Sequence, residues 1–284
     1  MRGLMTSVLM FAGFAGCNYA EDDVPADARV PHDAPDGCTS PEELAKLELV
    51  VSGVVTDLAT GNPAAGVTVD IARAWSTRGF PESDCPLLGT LVTAADGSFG
   101  PMTIQAGPRP GIVLGGQFLA FLAHGGGIAP TVSDTRYSCT QGPCTLPAHA
   151  LAAPSVGLAA RWRAGLADGG MPDAATRGLV AFTFRELGGA PAAGVGVSAG
   201  GVFSAQPLEV GAQVRFLETT AELAPPTQAT TTASGTALIG VDVSKPEVYV
   251  EGMRGSDEWA ATGSIVVPGW IFVEDKTVYV PPPQ

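Results

Sequence analysis

The chain has 284 residues, of which 45% are hydrophobic and only 15% are charged, and its formal net charge is −13. An acidic chain lacks the lysines and arginines that neutralise phosphates, which excludes nucleic acid as a partner and also excludes docking on anionic lipid through a basic face. The 37 glycines and 24 prolines, together with runs rich in valine, threonine and alanine, favour short strands joined by turns.

The N-terminus has the pattern of an export signal. Arg2 precedes an apolar run over residues 4–14, and two small residues then lead into Cys17. The run is too short for a permanent membrane-spanning helix. Residues 14–17 (Phe-Ala-Gly-Cys) resemble the lipobox of bacterial lipoproteins. The resemblance implies cleavage before Cys17, acylation of that residue and an exported chain held by lipid in the bacterial outer membrane, on its periplasmic or outer face. The alternative is a cysteine that follows an ordinary secretory signal by chance.

The remaining cysteines agree with export. The chain has five, so that assigning Cys17 to lipid leaves four in an oxidising compartment, and four cysteines allow three pairings. A Gly-Pro turn between Cys139 and Cys144 makes a local disulfide geometrically easy, and by elimination Cys38 pairs with Cys85. Metal ligation is the competing interpretation. It is disfavoured because the chain has neither a CxxC pair nor clustered histidines, so we expect no metal and no cofactor.

The mature chain begins with a spacer. Residues 18–46 are acidic and proline-containing and lack apolar periodicity, which predicts a disordered tether. A first domain is expected over residues 47–154, where apolar runs alternate with turns such as Asp96-Gly97. Its predicted strands are 49–56, 66–74, 90–94, 98–104, 112–123, 128–137 and 144–151.

The start of this domain carries a longer pattern, V-x-G-x-V-x-D-x-x-T-G-x-P-x-x-G-x-x-V followed by T-x-x-D-G-x-F. The residues that match it are Val51, Gly53, Val55, Asp57, Thr60, Gly61, Pro63, Gly66, Val69, Thr93, Asp96, Gly97 and Phe99. The pattern resembles that of the carboxypeptidase regulatory-like family. This resemblance implies a transthyretin-like β-sandwich for residues 47–154.

The turn in this pattern occurs twice. Gly61–Val69 (GNPAAGVTV) recurs as Gly189–Val197 (GAPAAGVGV), 128 residues later and without a gap. Self-similarity at this distance indicates two related domains. We therefore expect a second related β-sandwich over residues 178–284. Leu158, Trp162 and Leu166 recur every four residues after Ser155, which predicts a short helix in a linker over residues 155–177. The expected fold is all-β, with two tandem Ig-like, transthyretin-like sandwiches.

Two strings resemble parts of a serine hydrolase. His124 begins an HGGG string, which is typical of an oxyanion loop, and Ser198 lies in a G-x-S-x-G string. The mechanism needs a histidine after the serine, however, and no histidine follows His149. The repeat also aligns Ser198 with Asp70 on an ordinary strand, whereas a nucleophile elbow needs a strand-to-helix turn. We therefore expect no enzymatic activity, and an unusual or degenerate hydrolase is the remote alternative.

Aromatic side chains are the remaining candidates for binding. Trp75 and Trp162 share the apolar faces of their predicted elements, whereas Trp259 lies in the polar stretch GSDEWAATG and is the candidate ligand contact, with core packing as its alternative. The expected function is that of a non-enzymatic, membrane-anchored structural or interaction module with a protein or glycan partner. The alternative is a carbohydrate- or cell-wall-binding lipoprotein.

Overall fold

A computed structural model describes residues 48–73, 87–105, 117–137, 143–171, 174, 177–201, 204–207, 214–241, 247–265 and 268–277. More than half of these residues lie in strands and one helix is present, which confirms the predicted all-β class with its single helix. The elements are β1 (Glu48–Asp57), β2 (Val67–Arg73), β3 (Gly89–Val92), β4 (Ser98–Gln105), β5 (Gln117–Gly125), β6 (Ile128–Tyr137), β7 (Cys144–Thr145), β8 (His149–Ala153), α1 (Val156–Asp168), β9 (Gly178–Arg185), β10 (Gly196–Gly201), β11 (Ser204–Pro207), β12 (Val214–Phe216), β13 (Thr236–Val241), β14 (Glu247–Arg254), β15 (Asp257–Ile265) and β16 (Ile271–Thr277).

One eight-stranded sheet runs through both halves of the described chain, in the order β12-β13-β9-β16-β6-β5-β2-β3. We call it the shared sheet. The two halves meet where β16 pairs in parallel with β6, at Ile271 opposite Thr131 and Phe272 opposite Val132. The predicted division into domains 47–154 and 178–284 stays a prediction. The described strands of the two stretches are nevertheless continuous through hydrogen bonds of one sheet.

The first sandwich packs β1, β4, β7 and β8 against β2, β5 and β6 of the shared sheet. Alternate residues of each strand point inward, as the period of two in a strand dictates. Gly53 of β1 lies under the carbonyl of His149 and the ring of Phe99, where a Cβ would overlap both. This close approach explains the glycine in the V-x-G pattern. The core consists of Leu49, Val51, Val55, Ala64, Val67, Val69, Ile71, Phe99, Ile104, Leu119, Phe121, Ala123, Ile128, Leu146, Leu151 and Ala153.

The second sandwich packs β10, β14 and β15 against β9, β13 and β16 of the shared sheet, and β11 extends the smaller sheet beyond β10. Its core is aromatic, with Phe182, Phe184 and Phe216 all buried. The side chains of Ala72, Ala120, Leu122 and Val132, which belong to the first half of the shared sheet, continue this core. The two cores therefore lie on opposite faces of the shared sheet.

Helix α1 covers the second half of the shared sheet on the face opposite β10, β14 and β15. Ser155 caps it, because its Oγ accepts a hydrogen bond from the Leu158 amide at 3.3 Å. The predicted stripe of Leu158, Trp162 and Leu166 is buried, and Trp162 Nε1 donates to the Ala221 carbonyl at 2.8 Å. The helix predicted from this stripe is confirmed. In the part of the chain that the structure describes, no helix is long and apolar enough to cross a membrane.

The repeated turn has the same structure in both copies. Gly61 and Gly189 both have positive φ, of 70° and 82°, a conformation that costs glycine little. A buried threonine closes each turn. Thr93 donates to the Ala64 carbonyl at 2.7 Å and accepts from the Val67 amide at 2.9 Å. Thr231 makes the corresponding bonds to the Ala192 carbonyl at 2.7 Å and the Val195 amide at 2.9 Å.

Candidate functional site

The face of the shared sheet that carries the second core extends over the first half of the sheet and becomes polar there. Asp70 of β2 lies opposite Leu122 of β5, and Leu122 lies opposite Val132 of β6. Leu122 and Val132 are buried, whereas Asp70 is half-buried and Thr90 of β3 is exposed. Strands β2, β3 and β5 thus bring several polar side chains together beside a buried apolar floor.

Asp70 is the centre of this polar group. Its Oδ2 atom lies 3.0 Å from His124 Nε2, and its Oδ1 atom accepts a hydrogen bond from the Thr90 hydroxyl at 2.6 Å. The side chain of His124 is 40% exposed and that of Asp70 is 18% exposed. Both carboxylate oxygens are therefore held in place by neighbouring strands, while solvent still reaches the pair.

Trp270, just before β16, completes the group from the other half of the chain. Its ring centroid lies 6.3 Å from that of His124 in an edge arrangement with an interplanar angle of 76°. The indole is half-buried and packs against the second core. The surface formed by Asp70, Thr90, His124 and Trp270 is called the polar pocket below.

The hydroxyl, the carboxylate and the imidazole of the polar pocket are engaged with one another. The hydroxyl of the polar pocket belongs to Thr90 and donates a hydrogen bond to Asp70. It therefore points at the same carboxylate that orients the imidazole of His124. A nucleophile would need the imidazole as its base. Among the described residues, no group of three or more His, Cys, Asp or Glu side chains could hold a metal ion.

Trp259, the possible ligand contact from the sequence, lies elsewhere, and the structure agrees with its alternative of core packing. Its side chain is fully buried in the second core, and its Nε1 atom donates to the Arg185 carbonyl at 2.8 Å. Its polar neighbour Glu258 is exposed, because it alternates with Trp259 along β15. Arg254 lies over the ring at 5.3 Å, and hydrogen bonds to Glu186 and Asp257 raise the pKa of Arg254 above its ordinary value.

The two strings that resemble a hydrolase lie in ordinary β structure. Ser198 is the third residue of β10, where it pairs with Pro207 on one side and Glu251 on the other. The glycines after His124 form the turn between β5 and β6, and all three have positive φ. Ser198 therefore lies within a strand flanked by strands on both sides, not at a strand-to-helix turn.

The second described histidine is half-buried in the first sandwich. His149 begins β8, stacks on Phe121 with ring centroids 4.3 Å apart, and lies 3.1 Å from the Ser133 hydroxyl through Nε2. Burial lowers its pKa from 6.5 to about 4, because the apolar surroundings disfavour the cation. His149 is thus a neutral core residue and belongs to the scaffold.

Of the five cysteines, the structure describes one. Cys144 begins β7 and is disulfide-bonded. Its predicted partner Cys139 lies outside the described residues, as do Cys17, Cys38 and Cys85, so the two pairings and the lipidation stay predictions. The signal peptide, the tether and Trp75 also lie outside the described residues.

Sequence comparison identifies no relatives. No protein-family model matches the chain, and no curated protein matches it. The resemblance to the carboxypeptidase regulatory-like family therefore rests on the quoted residues alone.

Distant structural similarities do exist. The Bacillus anthracis TIE protein is 9% identical over 83% of this chain and 34% of its own length, with a TM-score of 0.26. The shaft pilin SpaA from Lactobacillus rhamnosus GG is 10% identical over 84% of this chain and its full length, with a TM-score of 0.22. A streptococcal ancillary pilin is 13% identical over 82% of this chain and 62% of its own, with a TM-score of 0.23. The chain thus spans about a third of the TIE protein, and scores this low carry no argument about function.

Proposed function

We propose that this protein is an exported, non-enzymatic β-sandwich module that a lipid on Cys17 anchors to a bacterial outer membrane, where it presents a rigid surface to a partner. The observation that carries the proposal is the disulfide at Cys144. Disulfides persist in oxidising compartments outside the cytoplasm, and export is also what the N-terminal apolar run predicts.

The anchor and the tether explain how the module would be displayed. Acylation of Cys17 by more than one chain gives stable membrane attachment, whereas a single chain gives only reversible binding. Residues 18–46 would then separate the sandwiches from the membrane. The resemblance to the carboxypeptidase regulatory-like family supports a scaffold role, because the residues that carry it form turns and cores.

The absence of catalysis is part of the proposal. Ser198 occupies a mid-strand position, and the hydroxyl of Thr90 is engaged by Asp70. Among the described residues, no hydrogen bond joins either hydroxyl to a histidine, the usual base of a serine or threonine nucleophile. Hydrolysis of an ester by the purified protein, abolished by Ser198→Ala, would contradict this part of the proposal.

A second candidate function is carbohydrate or cell-wall binding from the same anchored position. The sequence associates this function with Trp259, which is buried. The half-buried Trp270 beside His124 and Asp70 now favours it instead.

Metabolic labelling with a radioactive fatty acid tests the anchor. The wild-type chain should carry the label and fractionate with membranes, whereas Cys17→Ser should be unlabelled and released. Cys144→Ser is the matched control, because it removes a cysteine of the disulfide and should keep the label. Labelling that persists in Cys17→Ser would refute the anchor, and a free thiol at Cys144 in the exported wild-type protein would refute the compartment.

A further inference from the structure

We propose that the polar pocket is a binding site for a neutral sugar ring. The juxtaposition that carries this inference is a carboxylate fixed by two hydrogen bonds, an exposed imidazole and an indole within one patch. Asp70, His124 and Trp270 come from strands or strand ends of the shared sheet, so their positions are set by the sheet before any ligand arrives. A preformed site loses less free energy on binding than one whose side chains must first be ordered.

The charge of the pocket excludes anions. Asp70 brings a carboxylate to its centre, and the chain as a whole carries a net charge of −13. A phosphate or carboxylate ligand would be repelled by the Asp70 carboxylate at contact distance. One imidazole and one carboxylate also fall short of the three protein ligands of even an open zinc site.

A sugar ring satisfies each group of the pocket. Both oxygens of Asp70 keep a lone pair after accepting from Thr90 and His124, and adjacent hydroxyls of a pyranose can donate to them. His124 uses Nε2 toward Asp70, which directs Nδ1 to a third hydroxyl. The apolar C–H face of the same ring can lie against the indole of Trp270, because aromatic side chains bury apolar ligand surface at low entropic cost.

This inference deepens the second candidate function, carbohydrate binding. It rests on the proposed function in one respect, because export would bring the pocket to extracellular glycans. Sugar binding can be measured on the purified full chain whether or not Cys17 is acylated. Failure of the pocket and failure of the anchor are therefore distinguishable results.

The test is isothermal titration of the full-length protein in detergent with four probes, the methyl glycosides of glucose, galactose, mannose and N-acetylglucosamine. At least one should bind saturably, with a dissociation constant on the order of 1 mM for a ligand of about 13 heavy atoms. Asp70→Asn should weaken that binding at least tenfold, because the amide replaces one acceptor by a donor while keeping the shape. Trp270→Ala should weaken it at least tenfold as well.

Two further variants keep the test decisive. Trp270→Phe retains an aromatic ring and covers the case in which the alanine variant does not fold, and it should bind more weakly than the wild type but still measurably. Leu187→Ala removes an exposed apolar side chain in the other half of the chain and should bind as the wild type does. The proposal is overturned if none of the four probes binds saturably below about 50 mM. It is also overturned if Asp70→Asn binds unchanged, or if a lysine-rich peptide binds at Asp70 and the sugars do not.

Discussion

The two buried threonines that close the repeated turns provide the sharpest test of the fold. Thr93 is 5% exposed and Thr231 is 2% exposed. Each hydroxyl donates to the carbonyl at the start of its turn and accepts from the amide at the end. Replacement by valine keeps the β-branched shape and removes only the hydroxyl. In the first turn, the Ala64 carbonyl and the Val67 amide then lose their hydrogen-bond partner. In the second turn, the Ala192 carbonyl and the Val195 amide lose theirs.

The magnitude follows from these two bonds. A buried polar group left without its partner costs about 1–3 kcal/mol. Thr93→Val leaves two such groups, of which solvent and backbone movement can compensate part, so we expect a loss of about 2–4 kcal/mol in the free energy of unfolding. Thr231→Val should cost a similar amount, because its two hydrogen bonds have the same lengths as those of Thr93, 2.7 and 2.9 Å.

The assay is unfolding in guanidinium chloride, followed by circular dichroism. Thr93→Ser is the matched control, since it keeps the hydroxyl and loses one methyl group, at a cost of about 1 kcal/mol. The double variant Thr93→Val/Thr231→Val should show the sum of the two losses within about 0.5 kcal/mol, because the sites share no partner. The reasoning is refuted if Thr93→Val loses less than about 0.5 kcal/mol, or if Thr93→Ser is as unstable as Thr93→Val.

Three further predictions concern the cores. The pKa of His149 is about 4 in the fold and 6.5 in the unfolded chain, so His149 is neutral in the fold. Its contribution to the free energy of unfolding is fully present above about pH 6.5 and should fall by about 3 kcal/mol as the pH drops to 4. The variant His149→Gln, unfolded over the same pH range, should lack this pH-dependent loss. Gly53→Ala should lower the free energy of unfolding by about 1–3 kcal/mol or more, because the added Cβ overlaps the His149 carbonyl and the Phe99 ring. Gly188→Ala is the control, since its added Cβ meets no atom within 4 Å and should change the unfolding midpoint little. Equal effects of the two variants would contradict the packing around Gly53. Trp259→Phe should cost about 2–4 kcal/mol, because it leaves the Arg185 carbonyl unpaired and a gap in the core; a fully stable variant by thermal unfolding would contradict that burial.

Local sequence signals predicted most of the elements, and the reason lies in their periodicity. Alternation of apolar residues located β1 and β2, and the four-residue spacing of Leu158 and Trp162 located α1. These signals depend only on which face of an element is buried.

The polar pocket could not be predicted from the sequence, because its parts are distant in the chain. Asp70 and His124 are 54 residues apart and meet only through the register of β2 with β5. Trp270 arrives from the other half through the pairing of β16 with β6. The one local signal was the carboxylate of Asp70 between Val69 and Ile71 in β2. The polarity around Trp259 was misleading, because alternate residues of a strand face opposite sides.

The pairing of β6 with β16 joins the two halves because it gives hydrogen-bond partners to backbone groups at two sheet edges. A sandwich that stood alone over β1–β8 would leave β6 with unpaired amide and carbonyl groups, and a second one would leave β16 in the same state. Pairing β16 with β6 satisfies part of both edges at once and extends the core of the second half beneath Leu122 and Val132. The same pairing brings Trp270 beside His124. The polar pocket is therefore a product of the join, and each of the two related halves alone would contain only part of it.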